Sequence, residues 1–237
     1  MERNINFMKN SNYFLNQVLT LNKDLHKFNL TFLNFGNASA VDRKNKLIYI
    51  KGSGFETTNL KSHQIAILKY DEKDLFINKS KVKPSVDTKT HLYLYRQINE
   101  INFIVHTHSL FATVIAQSHQ EPYCAGTTHA DFFYNTIPLS FPIKHPTIHN
   151  YEIEVGKSII ERLKKEKFLP PGILLRDHGI IAWGKSAKNA INNLIAIEKI
   201  CQIYYYSQAL KFKKPLPKAL HLLHFFRKNG YNNFYGQ

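Results

Sequence analysis

Between residues 88 and 117 the hydrophobic pattern changes period twice. Residues 88–98 carry helical spacing, Ile101 to Thr107 is an apolar run of strand length, and Ser109 then offers a cap for a helix reaching Gln117. A chain that alternates the two periods over so short a stretch has to lay helices on a sheet. The rest of the sequence extends that pattern. Apolar positions in residues 5–27 recur at three- and four-residue intervals and predict an amphipathic helix that caps the edge of the fold. Short runs at 31–35, 47–50, 64–68 and 75–77, separated by Gly, Asn and Asp turn signals, predict antiparallel strands. Helices are expected over 151–165, 186–210 and 217–228, with paired strands at 173–176 and 180–183. The expected architecture is a single α/β domain over residues 1–237, its central sheet largely antiparallel and flanked by helices.

Several function classes fall away on composition. The longest apolar runs, near Ile173 and Ile180, are far short of the roughly 20 residues of a membrane helix. The N-terminus shows neither the apolar stretch nor the small-residue cleavage site of a secretory signal, so the chain is expected to start near Met1 and to act in the cytoplasm. Cys124 and Cys201 have no spacing of a zinc ribbon or redox pair and are expected to be reduced and structural. With 32 Lys and Arg against 17 Asp and Glu, the formal charge is +15. Such an excess raises the alternative of a basic nucleic-acid-binding module. The densest basic runs, at 164–167 and 211–214, are short, and no reader module accompanies them. A lysine-rich surface is the expectation, with neither nucleic acid nor membrane as partner.

The sharpest chemical signal is His106-Thr107-His108. Residues two apart on a strand project from one face, so both imidazoles can approach one cation. His178, in Arg176-Asp177-His178-Gly179 after a strand, can supply a third nitrogen. Three imidazoles leave coordination positions open for a substrate oxygen. Asp87, Asp131 and Asp177 are candidates for a fourth ligand, and spacing does not choose among them; His91 also pairs with Asp87 at helical spacing, and Asp87 can equally cap the helix that follows it. Gly36-Asn37-Ala38-Ser39 and Lys51-Gly52-Ser53-Gly54 offer hydroxyls and accessible backbone N–H groups that could cradle a phosphate.

Taken in order, these segments with Pro84-Ser85-Val86-Asp87, Gly126-Thr127-Thr128-His129-Ala130-Asp131, Trp183-Gly184-Lys185 and Tyr235-Gly236-Gln237 resemble the L-ribulose-5-phosphate 4-epimerases, within the class II aldolase and epimerase superfamily. The resemblance implies an isomerase with one Zn2+ per subunit that interconverts L-ribulose 5-phosphate and D-xylulose 5-phosphate in pentose or ascorbate catabolism. It further implies a homotetramer with active sites between subunits. By the same resemblance, Asp87, His106, His108 and His178 match the metal ligands, and Gly36, Asn37, Ser53, Gly54, Ser85, Val86 and Asp87 match the positions that hold the phosphorylated ketopentose. Asp131 and Tyr235 match the two acid/base groups, Tyr235 reaching in from a neighbouring subunit, and Lys51, Thr127, His224 and Arg227 match accessory positions.

The implied chemistry is a retro-aldol cleavage between carbons 3 and 4, rotation of the aldehyde fragment and re-addition, because the hydrogen on carbon 4 is not acidic. Two departures from the pattern stand out. Val86 replaces a second Ser, at an expected cost of about 1 kcal/mol if that hydroxyl made an ordinary hydrogen bond. Gly52 replaces a Pro and is expected to loosen its loop. The nearest alternative is a class II sugar-phosphate aldolase such as L-fuculose-1-phosphate aldolase, which carries Glu at the position of Asp87 and lacks the run containing Asp131.

Overall fold

The computed structural model describes residues 2–70, 76–78, 80–211 and 214–230. Strands β1 (Asn37–Asp42), β2 (Leu47–Lys51), β3 (Ile65–Tyr70), β4 (Phe76–Asn78), β5 (Phe103–Thr107), β6 (Gly172–Leu175) and β7 (Gly179–Gly184) form one sheet of order β4-β3-β2-β1-β5-β7-β6. Every neighbouring pair is antiparallel. The helices are α1 (Glu2–Lys27), α2 (Thr88–Gln97), α3 (Leu110–Gln117), α4 (Thr127–Ala130), α5 (Tyr151–Leu163), α6 (Ala187–Ala209) and α7 (Lys218–Asn229).

Both faces of the sheet are covered, so its inner strands are buried throughout rather than alternating between core and solvent. Side chains still alternate between two cores. Ala38, Tyr49, Phe103 and Val105 pack with Leu21 of α1, Ile115 of α3 and Leu194 of α6. Ile48, Ile50, Ile104 and Trp183 pack with Leu92 of α2 and Ile159 of α5. By the same parity His106, two residues beyond Ile104, belongs to the face that carries α2 and α5.

Three expectations are corrected. The strand placed at 31–35 is a turn, with Leu33 at φ 51° and with Phe32, Leu33 and Phe35 exposed. The strand is instead the small and polar run of β1, whose polar side chains find partners inside: Ser39 meets His91 and Tyr95, and Asn22 of α1 accepts from the Ala38 amide. Helix α1 lies over the middle of the sheet against β1 and β2, rather than at its edge. Gly52 is held fast, not loosened: its N–H donates to the Gln64 carbonyl and it bridges to Pro84, and proline could not make the first of these bonds. Cys124 and Cys201 are free thiols and buried, as expected. No described helix is long and apolar enough to cross a membrane.

Candidate functional site

The site lies where β1 begins, β5 ends and β7 starts. Register sets Asn37 opposite His106, and His106 opposite Ile181. Gly36 makes this junction feasible: it sits at φ 77°, and a Cβ there would come within 2.9 Å of the His106 carbonyl oxygen. The starts of α2 and α5 close the same end of the sheet and bring up Asp87 and Tyr151.

His106, His108 and His178 converge. Each offers a donor atom, and these atoms lie within 4.8 Å of one another. Ring centroids are 4.7 to 5.2 Å apart, with the planes steeply inclined. Two of the rings are oriented from behind, as metal-binding imidazoles are. His106 Nδ1 meets the Ile180 carbonyl at 2.9 Å, which leaves Nε2 toward the cluster. His178 Nδ1 faces the Tyr151 hydroxyl at 3.3 Å. Burial, reinforced by the neighbouring imidazoles, pushes His178 down to about 3 and His108 down to about 4. Both are therefore neutral near pH 7, with lone pairs available to a cation. Close packing of three neutral rings with their donor atoms turned together fits a metal site, and poorly fits a solvated surface cluster.

Asp87 stands at the N-cap position of α2 but makes no side-chain cap bond. Its carboxylate turns instead to the amide of Asn37 and the hydroxyl of Ser85. Burial would raise its pKa, yet the facing imidazoles of His106 and His91 with the Asn37 bond hold it below the usual carboxylate value. The carboxylate borders the three imidazoles without joining the group of mutually close donors. The amide oxygen of Asn37 is buried and has no hydrogen-bond partner among the described residues.

A cleft of about 320 Å³ opens over this cluster and takes in most of the sequence-derived residues: Gly36, Asn37, Lys51, Ser53, Gly54, Ser85, Val86, Asp87 and the three histidines. Lys51 is buried, and its ammonium donates to the carbonyls of Asn34 and Phe55. Burial lowers its pKa, opposed by Asp87. Gly54, at φ 82°, faces open space. A cleft lined by a lysine and hydroxyls as well as by imidazoles and a carboxylate can hold an anionic and a cation-binding group of one small molecule.

The other predicted residues that the structure describes do not line that cleft. Asp131 lines a different and larger groove, of about 730 Å³. There its carboxylate meets His224 Nδ1 at 3.0 Å and the Arg227 guanidinium at 3.8 Å, and Asn229 donates to its carbonyl. Thr127 is exposed at the start of α4. Tyr235 lies outside the described residues. Two residues that the sequence reading missed belong to the cleft region, Tyr151 and Glu152. Glu152 lines the cleft, bonds to Thr90, and is pushed up to about 7 by burial and by Asp87. In the sequence the pair reads as the ordinary acidic first turn of a helix, and no local signal marks it.

Comparisons agree with this geometry. Residues 16–205 match the family described as Class II Aldolase and Adducin N-terminal domain. The chain is 36% identical over 224 residues to the L-ribulose-5-phosphate 4-epimerase UlaF of Salmonella paratyphi B, covering 93% of this chain and 97% of that protein. The same figures hold for the UlaF of Salmonella typhi. Among solved structures, an L-fuculose 1-phosphate aldolase superposes with a TM-score of 0.74 at 23% identity, over 89% of this chain and 93% of its own. A sugar-phosphate aldolase from Thermotoga maritima gives 0.71 at 19% identity, over 87% and 99%. At those identities the structural likeness speaks for the fold.

Proposed function

This chain belongs to the class II aldolase and adducin N-terminal domain family, and from that premise we propose that it is an L-ribulose-5-phosphate 4-epimerase, an isomerase that interconverts L-ribulose 5-phosphate and D-xylulose 5-phosphate. The observation that carries the reading is the convergence of His106, His108 and His178 in a cleft that Lys51, Ser53 and Gly54 also line.

The three imidazoles would hold one Zn2+ per subunit, with Asp87 beside it. When bound, zinc would supply a Lewis acid to the ketose. Lys51, Ser53, Gly54 and Ser85 grip the phosphate, and Asn37 holds the Asp87 carboxylate in place. A base then takes the proton of the carbon-4 hydroxyl, and the bond between carbons 3 and 4 breaks, its electron pair passing to carbon 3. The phosphate contacts retain the aldehyde fragment while it turns. Re-addition on its other face forms the bond again, and the new alkoxide regains a proton.

Proton transfer on two faces needs two groups on opposite sides. Asp131 and Tyr235 fill these roles in our reading, with His224 beside Asp131 and with Arg227 and Thr127 as accessory residues. Because Asp131 and the histidines line separate cavities on one chain, the complete site would form between copies, in keeping with a homotetramer of this one-domain chain. A cytoplasmic location suits the phosphorylated substrate.

The test is to incubate metal-analysed protein with L-ribulose 5-phosphate and to follow D-xylulose 5-phosphate together with dihydroxyacetone and glycolaldehyde phosphate. Formation of the epimer without free fragments is expected. Accumulating fragments would make the chain an aldolase, and no turnover of any kind would remove the reading.

A further inference from the structure

We infer that Glu198, on the opposite side of the sheet from the cleft, is a positioning residue that fixes His108 for metal binding. The inference rests on the metal reading above.

The three histidines are held in different ways. His106 has the Ile180 carbonyl behind it and His178 has the Tyr151 hydroxyl. Among the described residues no hydrogen bond orients the ring of His108; it meets the ring of Phe35 at 5.3 Å and lies close to Gly179, where a Cβ would come within 3.3 Å of His108 Cδ2. His108 is also one residue past the end of β5, whose ladder to β7 stops at Thr107 opposite Ile180. Its direction is therefore set by its own backbone, and that backbone is anchored on the far side by the start of α3.

Helix α3 starts in an unusual way. Ser109 occupies its N-cap position, yet its side chain caps nothing. Its hydroxyl donates instead to Glu198 Oε2 at 2.8 Å. The same carboxylate accepts the Phe111 amide on Oε1 at 2.9 Å and the Ala112 amide on Oε2 at 2.9 Å. Those two amides are the donors an N-cap side chain would ordinarily satisfy. A residue 87 positions downstream of Phe111 thus does the capping in trans, from a buried place on α6, with its charge at the favourable end of the α3 dipole. Both oxygens are used, and they hold three points of the chain that leaves His108, at Ser109, Phe111 and Ala112. Nothing in the packing of α6 alone requires a carboxylate there, since its neighbours Leu194, Ile197 and Cys201 are apolar or neutral and buried.

Glu198→Gln keeps the shape but leaves one oxygen for three donors and sets an NH2 against the others. The chain at 109–112 has to shift, and His108 with it. Outer-shell losses of this kind cost about 10- to 100-fold in metal affinity. The experiment measures Zn2+ affinity of the full chain by chelator competition, and the visible spectrum of the Co2+-loaded protein, for the native chain, Glu198→Gln, Ser109→Ala and Leu194→Ala. Leu194 lies on the same helix, fully buried in the apolar core, and its truncation lowers thermal stability without touching the α3 cap.

We expect Glu198→Gln to weaken Zn2+ binding about 10- to 100-fold and to alter the Co2+ spectrum, Ser109→Ala to weaken binding several-fold, and Leu194→Ala to bind as the native chain does. If Glu198→Gln does not fold, the Ser109→Ala result decides. Native-like affinity and spectrum in Glu198→Gln and Ser109→Ala, or an equal loss in Leu194→Ala, would reduce Glu198 to ordinary helix packing and overturn the inference. A native chain that binds no metal would instead overturn the metal reading, and this inference with it.

Discussion

The phenol oxygen of Tyr151 lies 3.3 Å from Nδ1 of His178, joining the first residue of α5 to a ring presented by the turn between β6 and β7. The contact leaves Nε2 of His178 for the shared donor cluster. Tyr151→Phe keeps the ring and deletes the hydroxyl. We expect Zn2+ affinity to fall by about tenfold, the low end of outer-shell effects because the bond is long, with circular dichroism unchanged. Unchanged affinity in a chelator competition would mean that the ring alone sets the orientation of His178.

Asp131 and the histidine cluster occupy separate cavities on one chain, so damage to one half-site should be repaired by an intact copy of the other. His108→Asn and Asp131→Asn should each lower epimerisation by about 100-fold or more, the second without loss of bound metal. Unfolded together and refolded as a mixture, they should recover a measurable fraction of native activity. A mixture no more active than the sum of its parts would place both groups in a single-chain site.

Gly52 is packed on all sides. A Cβ would lie 2.4 Å from Val82 Cγ1 and 2.7 Å from the Gln64 carbonyl oxygen. The valine could turn away, but the carbonyl belongs to the backbone. Gly52→Ala should therefore destabilise the chain by about 1–3 kcal/mol in urea unfolding, in contrast to the stabilisation usual when a permissive glycine is replaced.

Glu152 carries the clearest pH signature. Burial and Asp87 push its carboxyl up to about 7 in the fold, against an ordinary value of 4.5. Between those values the folded chain holds a proton that the unfolded chain has released. Glu152 is then at its least unfavourable below about pH 4.5, and weakens the fold as pH rises toward 7, after which its effect is constant. The neutral, half-buried histidines act with the opposite sign, since His108 and His178 cost stability as pH falls below 6.5. Comparing metal-free Glu152→Gln with the native chain separates the two: the stability advantage of the variant should be larger at pH 8 than at pH 5. An advantage that does not change with pH would mean that Glu152 ionises normally.

Most of the cleft was legible in sequence because its residues come in short blocks whose spacing carries geometry. His106 and His108 share a strand face, Ser85 and Asp87 precede a helix, and Lys51 to Gly54 end a strand. The run 31–35 misled because Phe32, Leu33 and Phe35 look like core and stand exposed, whereas β1 looks like a loop. Its Asn37 and Ser39 are buried only because Ser85 and His91 answer them from elsewhere in the chain, and no local pattern announces a partner 48 or 52 residues away. Tyr151 and Glu152 were hidden for the same reason: what marks them is the His178 ring that one meets and the cleft that the other lines.

The division of Asp131 from the histidine cluster also bears on how the protein would behave at low abundance. An isolated chain could take up its cation and still be inert, because Asp131, to which we assign a proton-transfer role, lines a groove apart from its own histidine cluster. Specific activity should then climb with chain concentration and vanish on dilution while cation content stays constant, so that in a cell expressing little of it, catalysis would be governed by encounter between copies.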